Sequence, residues 1–352
     1  MRYIQFVLCL FLLPVVTAYS QTDYKIVTAS ERGTYIQIGR DLAKWVAPPA
    51  MINLEVLPSN GSAENVKRLR YEAGVKLALV QSDVYQAFVD QAAAGNAAAG
   101  TLINPLRVVL PLYDEEIYFV TRADSPLTYI HELKGKKINV GPVGSGTALS
   151  ATTLYRLMFS TPLPESDASY LSNEEALLKL TNDKTLDAVV IVAGQPAKLF
   201  SEMAPEARQY IKLLRRDDKA PEIARAVTTY YPANIRSKSY PSWMTEDVPT
   251  LSVKAFLVTY NYGKESTQSS LKMFAESLCA NFDQLQTQGH PKWLEVQLQM
   301  PVLGKGWKYY PTMERVLRSC IANKSRPSQA TSPSPVIRNC SQQEKVLGLC
   351  RM

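Results

Sequence analysis

Lys137-Ile138-Asn139-Val140-Gly141-Pro142-Val143-Gly144-Ser145-Gly146-Thr147 reads as a short β run that empties into a glycine-rich loop at the start of a helix. The spacing Gly141-x4-Gly146 matches the opening of a phosphate-binding P-loop, but Thr147 stands where that motif needs a lysine. Without that cation nothing meets the β- and γ-phosphates, and nucleotide hydrolysis has poor support. What remains is a run of backbone N–H groups and two hydroxyls at a helix N-terminus. That setting suits a carboxylate or another small anion. The plainer reading of the same residues is a tight turn followed by an N-cap.

The same grammar repeats on both sides of this loop. Tyr24 to Thr28 is a β run that breaks at Ser30-Glu31-Arg32-Gly33-Thr34-Tyr35, and a helical pattern follows through Ile38, Leu42, Trp45 and Val46. Asn53 to Leu57 ends at Pro58-Ser59-Asn60-Gly61-Ser62, ahead of Val66, Leu69 and Arg70 at helical spacing. Leu77 to Val80 ends at Gln81-Ser82-Asp83, and Asp187 to Val192 ends at Ala193-Gly194-Gln195-Pro196. Arg107 to Leu112 and Ile117 to Thr121 read as two further β runs. Strands alternating with helices indicate an α/β fold with mainly parallel sheets. The polar segments all follow predicted strands, on the edge where open α/β sheets bind ligands. Each alone is explained as a helix cap; the segments at 33–35, 59–62, 81–83 and 144–147, four in one topological position, point to a shared polar cleft.

Composition narrows the possible functions. The chain has 352 residues, 46% of them hydrophobic and 20% charged, with a net charge of +7. At roughly 150 residues per domain that length predicts about two domains with a sizeable core, and it excludes extensive disorder. No apolar run past residue 20 reaches membrane-spanning length, which excludes a polytopic membrane protein. The basic clusters at Lys134-Gly135-Lys136-Lys137 and from Lys212 to Arg216 lie outside the polar loop segments and lack interleaved aromatics for base stacking. A nucleic-acid partner is therefore not expected.

The ends of the chain predict export. Met1-Arg2-Tyr3, the apolar stretch from Ile4 to Val16 and Thr17-Ala18-Tyr19-Ser20 form a signal peptide over residues 1–20, cleaved near Ser20. A retained N-terminal anchor is the competing reading. In an oxidising compartment Cys279, Cys320, Cys340 and Cys350 suggest two disulfides, for which three connectivities are open. The expected pairing is Cys279 with Cys320 and Cys340 with Cys350. Residues 323–352 read as a Ser/Pro-rich linker and a cysteine-containing tail.

Catalytic patterns are sparse. The two histidines, His131 and His290, lie in a polar approach to a strand and in a loop before Pro291. Asp114-Glu115-Glu116 reads as a solvated turn or hinge between two strands. There is no HExxH, GxSxG or CxxC, and no spacing suits a structural metal. An exported hydrolase with Ser145 or Ser82 as nucleophile and His131 as base is the competing enzyme reading. An orphan sensor acting through the tail is a third.

Taken in order, these segments resemble the TAXI family of solute receptors for TRAP transporters, within the type II periplasmic binding protein class. The resemblance covers roughly residues 24–263. It is carried by Gly33-Thr34-Tyr35 with Ile38-Gly39, Gly61-Ser62-Ala63-Glu64-Asn65, Leu79-Val80-Gln81-Ser82-Asp83, Leu106-Arg107 to Pro111-Leu112-Tyr113 and Val120-Thr121-Arg122-Ala123-Asp124-Ser125. It continues through Leu133 to Lys137, Val140-Gly141-Pro142 into Gly144-Ser145-Gly146-Thr147, Leu171-Ser172 before Glu175-Ala176-Leu177, and Val192-Ala193-Gly194. The resemblance implies a two-lobed periplasmic binding protein type II fold, each lobe a mainly parallel sheet flanked by helices. It implies lobe I at 21–120 and 253–322 and lobe II at 121–252, with crossing strands near Ile117–Arg122 and Val253–Thr259.

It further implies a monomeric periplasmic receptor, without cofactor or metal, that passes a small anionic solute such as glutamate or a dicarboxylate to TRAP transporter membrane subunits. The cleft would hold Gly33, Thr34, Tyr35, Asn60, Ser62, Gln81, Ser82, Ser145, Gly146, Thr147 and Gly194. Two positions depart from the family pattern. Glu31-Arg32 stands where small residues are usual, and Asn60 replaces the first glycine of Gly-Gly-Ser.

Overall fold

A computed structural model describes residues 21–93, 95–303 and 306–324. The expected signal peptide, the Cys340–Cys350 pair and nearly all of the expected tail lie outside the described residues. In chain order the elements are β1 (Thr22–Val27), α1 (Thr34–Asp41), β2 (Ile52–Leu57), α2 (Ser62–Tyr71), β3 (Val75–Gln81), α3 (Ser82–Ala93) and α4 (Ala97–Ile103). Next come β4 (Leu106–Arg122), β5 (Ile138–Asn139), α5 (Gly146–Phe159), β6 (Ala168–Ser169), α6 (Asn173–Leu178), β7 (Ala188–Ala193), α7 (Lys198–Ser201), β8 (Ile211–Leu213), α8 (Pro221–Ala226) and β9 (Tyr231–Ile235). The chain closes with β10 (Val248–Tyr260), α9 (Glu265–Ala280), α10 (Phe282–Gln288) and α11 (Pro311–Lys324).

The strands form a sheet in the order β2-β1-β3-β10-β4-β7-β5-β6, with β8 beside β4 and β9 beside β10. Its two wings are parallel, β2-β1-β3 at one end and β7-β5-β6 at the other. Within the wings β3 and β7 have both faces covered and are apolar on each side, whereas the edge strand β2 alternates buried Ile52 and Leu54 with exposed Asn53 and Glu55. In β3, Leu77 and Leu79 pack with Ile26 and Phe274, while Ala78 and Val80 pack on the opposite face with Val66 and Leu69.

The wings are joined by two long antiparallel strands. β4 has 17 residues and β10 has 13, paired from Leu106 opposite Tyr260 to Ile117 opposite Leu251. One end of the pair contributes Leu110 and Leu257 to the first core. The other end contributes Ile117, Phe119 and Leu251 to a second core with Ile138, Leu154 and Val190. The molecule is thus a two-lobed α/β fold whose lobes share two continuous strands.

One expectation is corrected here. The β runs at 107–112 and 117–121 are a single strand, and Asp114-Glu115-Glu116 lies inside it rather than in a solvated turn. Glu115 and Glu116 are only 3% and 4% exposed. Consecutive carboxylates ordinarily mark a surface because isolated charges are costly to bury. Here their partners arrive from distant parts of the chain, as described below.

Cys279 on α9 and Cys320 on α11 face each other with Cα atoms 6.4 Å apart across 41 residues, within the span of a disulfide. Closing a loop of that length restrains the unfolded chain by about 4 kcal/mol in the chain-entropy model. Replacing both cysteines by serine is therefore expected to lower the stability read by urea denaturation by about that amount. Equal midpoints for the variant and the unreduced parent would show that the bond contributes nothing.

Candidate functional site

Four helices begin at one place. α1 starts after Gly33, α2 after Gly61, α5 after Ser145 and α6 after Ser172. Each follows a strand at its carboxyl end, so the sheet order brings the four helix starts to one crevice. Ser145 Oγ accepts from the N–H of Ala148 at 3.0 Å, and Ser172 Oγ accepts from that of Glu175 at 3.3 Å. The first N–H groups of each helix have no intrahelical acceptor, and the helix dipole adds positive potential there. These ends line a cavity of about 230 Å³, with Arg32, Gln81, Glu115 and the 191–193 end of β7 completing the wall. That volume holds a small solute and little else, since drug-sized ligand pockets begin at about 300 Å³.

The lobes meet tightly around this cavity. The N–H of Glu64 donates to the carbonyl of Gly144 at 3.1 Å, and Thr34 Oγ1 donates to that of Gly194 at 2.8 Å. Asp83 Oδ2 accepts from Ser150 Oγ at 2.6 Å and from Tyr230 Oη at 3.1 Å. Arg32 pairs with Glu202 at the rim. Two glycines make the approach possible. Gly61 sits at φ +119°, and a Cβ there would lie 3.2 Å from the nitrogen of Gly146. A Cβ on Gly146 would lie 2.0 Å from Gln81 Oε1 and 2.7 Å from Ser62 Oγ. Closure at this seam therefore excludes any side chain at 146.

The inner wall is β4. Tyr35 Oη donates to Glu115 Oε2 at 2.6 Å. Burial pushes the Glu115 carboxyl up to about 8, against the opposing pull of the Tyr35 hydrogen bond and the Lys292 charge. Glu116 accepts from Lys292 Nζ at 3.1 Å and from the N–H of Gln195 at 3.1 Å. Burial raises its carboxyl too, while Lys292 opposes the rise. Lys292 is fully buried and also reaches Glu295 Oε2 at 2.5 Å, and Arg236 closes the network on Glu295.

Most of the expected cleft residues do come together. Gly33, Thr34, Tyr35, Asn60, Ser62, Gln81, Ser145, Gly146 and Thr147 all line the cavity. Ser82 does not, because its Oγ accepts from the N–H of Lys254 at 3.2 Å. Gly194 stands behind the lining and supplies only its carbonyl to Thr34. Sequence reasoning missed Glu115, which it placed in a turn, and the start of α6. The latter carries a Ser-x-x-Glu capping signature at Ser172 and Glu175 that could have marked it.

The histidines sit elsewhere. His131 stacks on Tyr129 with ring centres 5.5 Å apart. His290 caps the Pro291–Glu295 turn, its Nδ1 accepting from the N–H of Lys292, and burial pushes its imidazole down to about 4. Among the described residues no hydrogen bond joins either ring to Ser145 or Ser82, as a nucleophile and its base would require. Lys292 is the cation that compensates Glu116, so Lys292→Met leaves a buried carboxylate without its partner. The expected cost is about 3–5 kcal/mol of unfolding free energy, measured by denaturant titration at neutral pH. A loss below about 1 kcal/mol would mean that the pair is energetically neutral.

The model of the NMT1-like family matches residues 26–301. Among solved structures, the periplasmic binding protein BugD is 14% identical, covering 87% of this chain and 96% of that chain with a TM-score of 0.49. The periplasmic sulfonate-binding protein SsuA from Methylobacillus flagellatus KT is 12% identical, over 76% of this chain and 70% of its own, with a TM-score of 0.45. The arginine-, lysine-, histidine-binding protein ArtJ from Geobacillus stearothermophilus is 12% identical, over 74% and 91%, with a TM-score of 0.43. The family match runs from β1 past α10 and takes in every helix start around the cavity, and this chain belongs to the NMT1-like family.

Proposed function

We propose that this chain is an exported solute receptor of the TAXI type. It captures a small anionic solute, glutamate or a dicarboxylate, between its lobes in the periplasm and delivers it to a TRAP-type permease. It acts as a monomer, without cofactor or metal, and leaves its solute chemically unchanged. The observation that carries this reading is the convergence of helix N-termini from both lobes on one small cavity. Backbone N–H groups and dipole ends select negative charge without a dedicated cation. Arg32, the one basic residue in the cavity wall among the described residues, is engaged by Glu202.

The mechanism follows from the shared strands. Lobe I comprises 21–120 and 253–322 and lobe II 121–252, hinged where β4 and β10 cross. A solute shifts a hinge only by its difference in affinity for the open and closed forms. In the closed form Thr34, Tyr35, Asn60 and Ser62 contact the solute from lobe I, and Ser145, Gly146 and Thr147 contact it from lobe II. In the open form one of these sets is lost, so binding and closure are the same event.

Glutamate, succinate and related dicarboxylates are expected to raise the melting temperature. Stabilisation should approach about 2.7 kcal/mol at a solute concentration one hundred times Kd. Gly146→Ala is expected to weaken binding at least about tenfold while leaving the solute-free melting temperature within a few degrees, because its Cβ meets Gln81 and Ser62 only when the lobes are shut. A panel of amino acids and dicarboxylates without a stabilising member would sink the receptor reading. Wild-type affinity in Gly146→Ala would sink its closure mechanism.

A further inference from the structure

We infer that Glu115 is a specificity residue of this cavity: it meets the bound solute as a neutral carboxylic acid that donates a hydrogen bond, so that affinity for an anion depends on the proton Glu115 carries. The inference rests on the anion-receptor reading above. Glu115 lines the cavity yet is only 3% exposed. Its Oε2 is taken by the Tyr35 hydroxyl at 2.6 Å, which leaves Oε1 for a further partner. A carboxylate at this position would repel the solute that the surrounding helix N-termini attract. A carboxylic acid removes that repulsion and adds a donor aimed at a solute oxygen.

The nearby cations do not neutralise it. Arg32 is held by Glu202, and Lys292 is shared between Glu116 and Glu295. The remaining groups facing Glu115 are Tyr35 on α1, Tyr113 and Glu116 on its own strand and Asp83 on α3, and Glu174 on α6 is a second carboxylate in the cavity wall. Lys254 on β10 pairs with Asp114 at 2.8 Å. Burial is the largest influence on Glu115, the neighbouring carboxylates add to it, and together they bring the acid to about 8. The Tyr35 and Tyr113 phenols are pushed well above their ordinary value by burial and stay neutral through this range. The sign is then fixed. Glu115 is protonated below about 8, where affinity is full, and affinity falls as pH rises through that value.

Succinate is the probe of choice, because both its carboxylates are ionised throughout the range and it has no amino group to titrate. Calorimetry at pH 7, 8 and 9, in buffers of different ionisation enthalpy, is expected to show binding weakened about tenfold from pH 7 to 9. Near pH 8 about half a proton should be taken up per solute. Glu115→Gln, which keeps a donor but cannot ionise, should flatten the profile and abolish the uptake. A pH-independent wild-type affinity without proton uptake overturns the inference, as does a Glu115→Gln profile that keeps the wild-type slope. The wild-type slope and proton count stand even where the variant folds poorly. A solute-free readout separates this inference from the receptor reading: the side-chain carboxyl 13C resonance that disappears in Glu115→Gln should titrate near 8. A midpoint below about 6 overturns the neutral acid even where succinate binds. A resonance titrating near 8 in a protein that binds no dicarboxylate overturns the receptor reading and the proton coupling with it.

Discussion

The ammonium of Lys292, buried between Glu116 and Glu295, is the interaction on which the waist of the molecule depends. β4 must run unbroken from one lobe into the other, and its middle carries acidic residues where a crossing strand would ordinarily be apolar. Lys292 comes from a turn 176 residues later in the chain and supplies the charge that lets Glu116 stay inside. The N–H of Gln195 and the guanidinium of Arg236, both from the second lobe, complete the same network. An apolar waist of equal volume would be at least as stable. What the network adds is position, because each member reaches across from a different element.

With the waist held, the cavity is assembled from backbone rather than from side-chain charge. Four helix starts meet there because each follows a strand of one sheet, and the crossover order of that sheet places their carboxyl ends together. Gly61 and Gly146 let the two lobes approach closely, because a Cβ on Gly61 would press on the backbone nitrogen of Gly146 and one on Gly146 would press on the side chains of Gln81 and Ser62. The result is a compartment of about 230 Å³ in which hydroxyls and helix starts share the wall with apolar groups such as Ile191, Val192 and Leu199. Of the two acids in its wall Glu174 is exposed and Glu115 is buried, and burial makes Glu115 an acid of a different kind from those on the surface.

Electrostatics over the whole chain bear little on the site. The lysines at 134–137 and the Lys212 to Arg216 segment lie outside the cavity wall. Lys212 donates to the carbonyl of Ser125, Arg215 pairs with Glu246 and Arg216 with Asp218. The Arg215 pair is solvated and weak, while the largely buried Arg216 also donates to the carbonyls of Ala233 and Thr250 and so fastens its segment to β9 and β10.

Local residue pattern determined the α/β alternation and the loop positions, and the family resemblance carried by those loops supplied the nine expected residues that line the cavity. Strand periodicity, glycine placement and capping residues are short-range properties, and they survive without a partner. Asp114-Glu115-Glu116 was misread for the opposite reason. Three consecutive acids look like solvent until Tyr35, Lys292 and Gln195 are brought beside them, from 80, 176 and 79 residues away. Ser82 failed in the same manner, its hydroxyl claimed by the backbone of Lys254, 172 residues on. Which polar groups face the cavity, and which are consumed in holding the lobes together, was decided only by tertiary packing. Burying a charge depends on the partner, and sequence neighbours do not supply it.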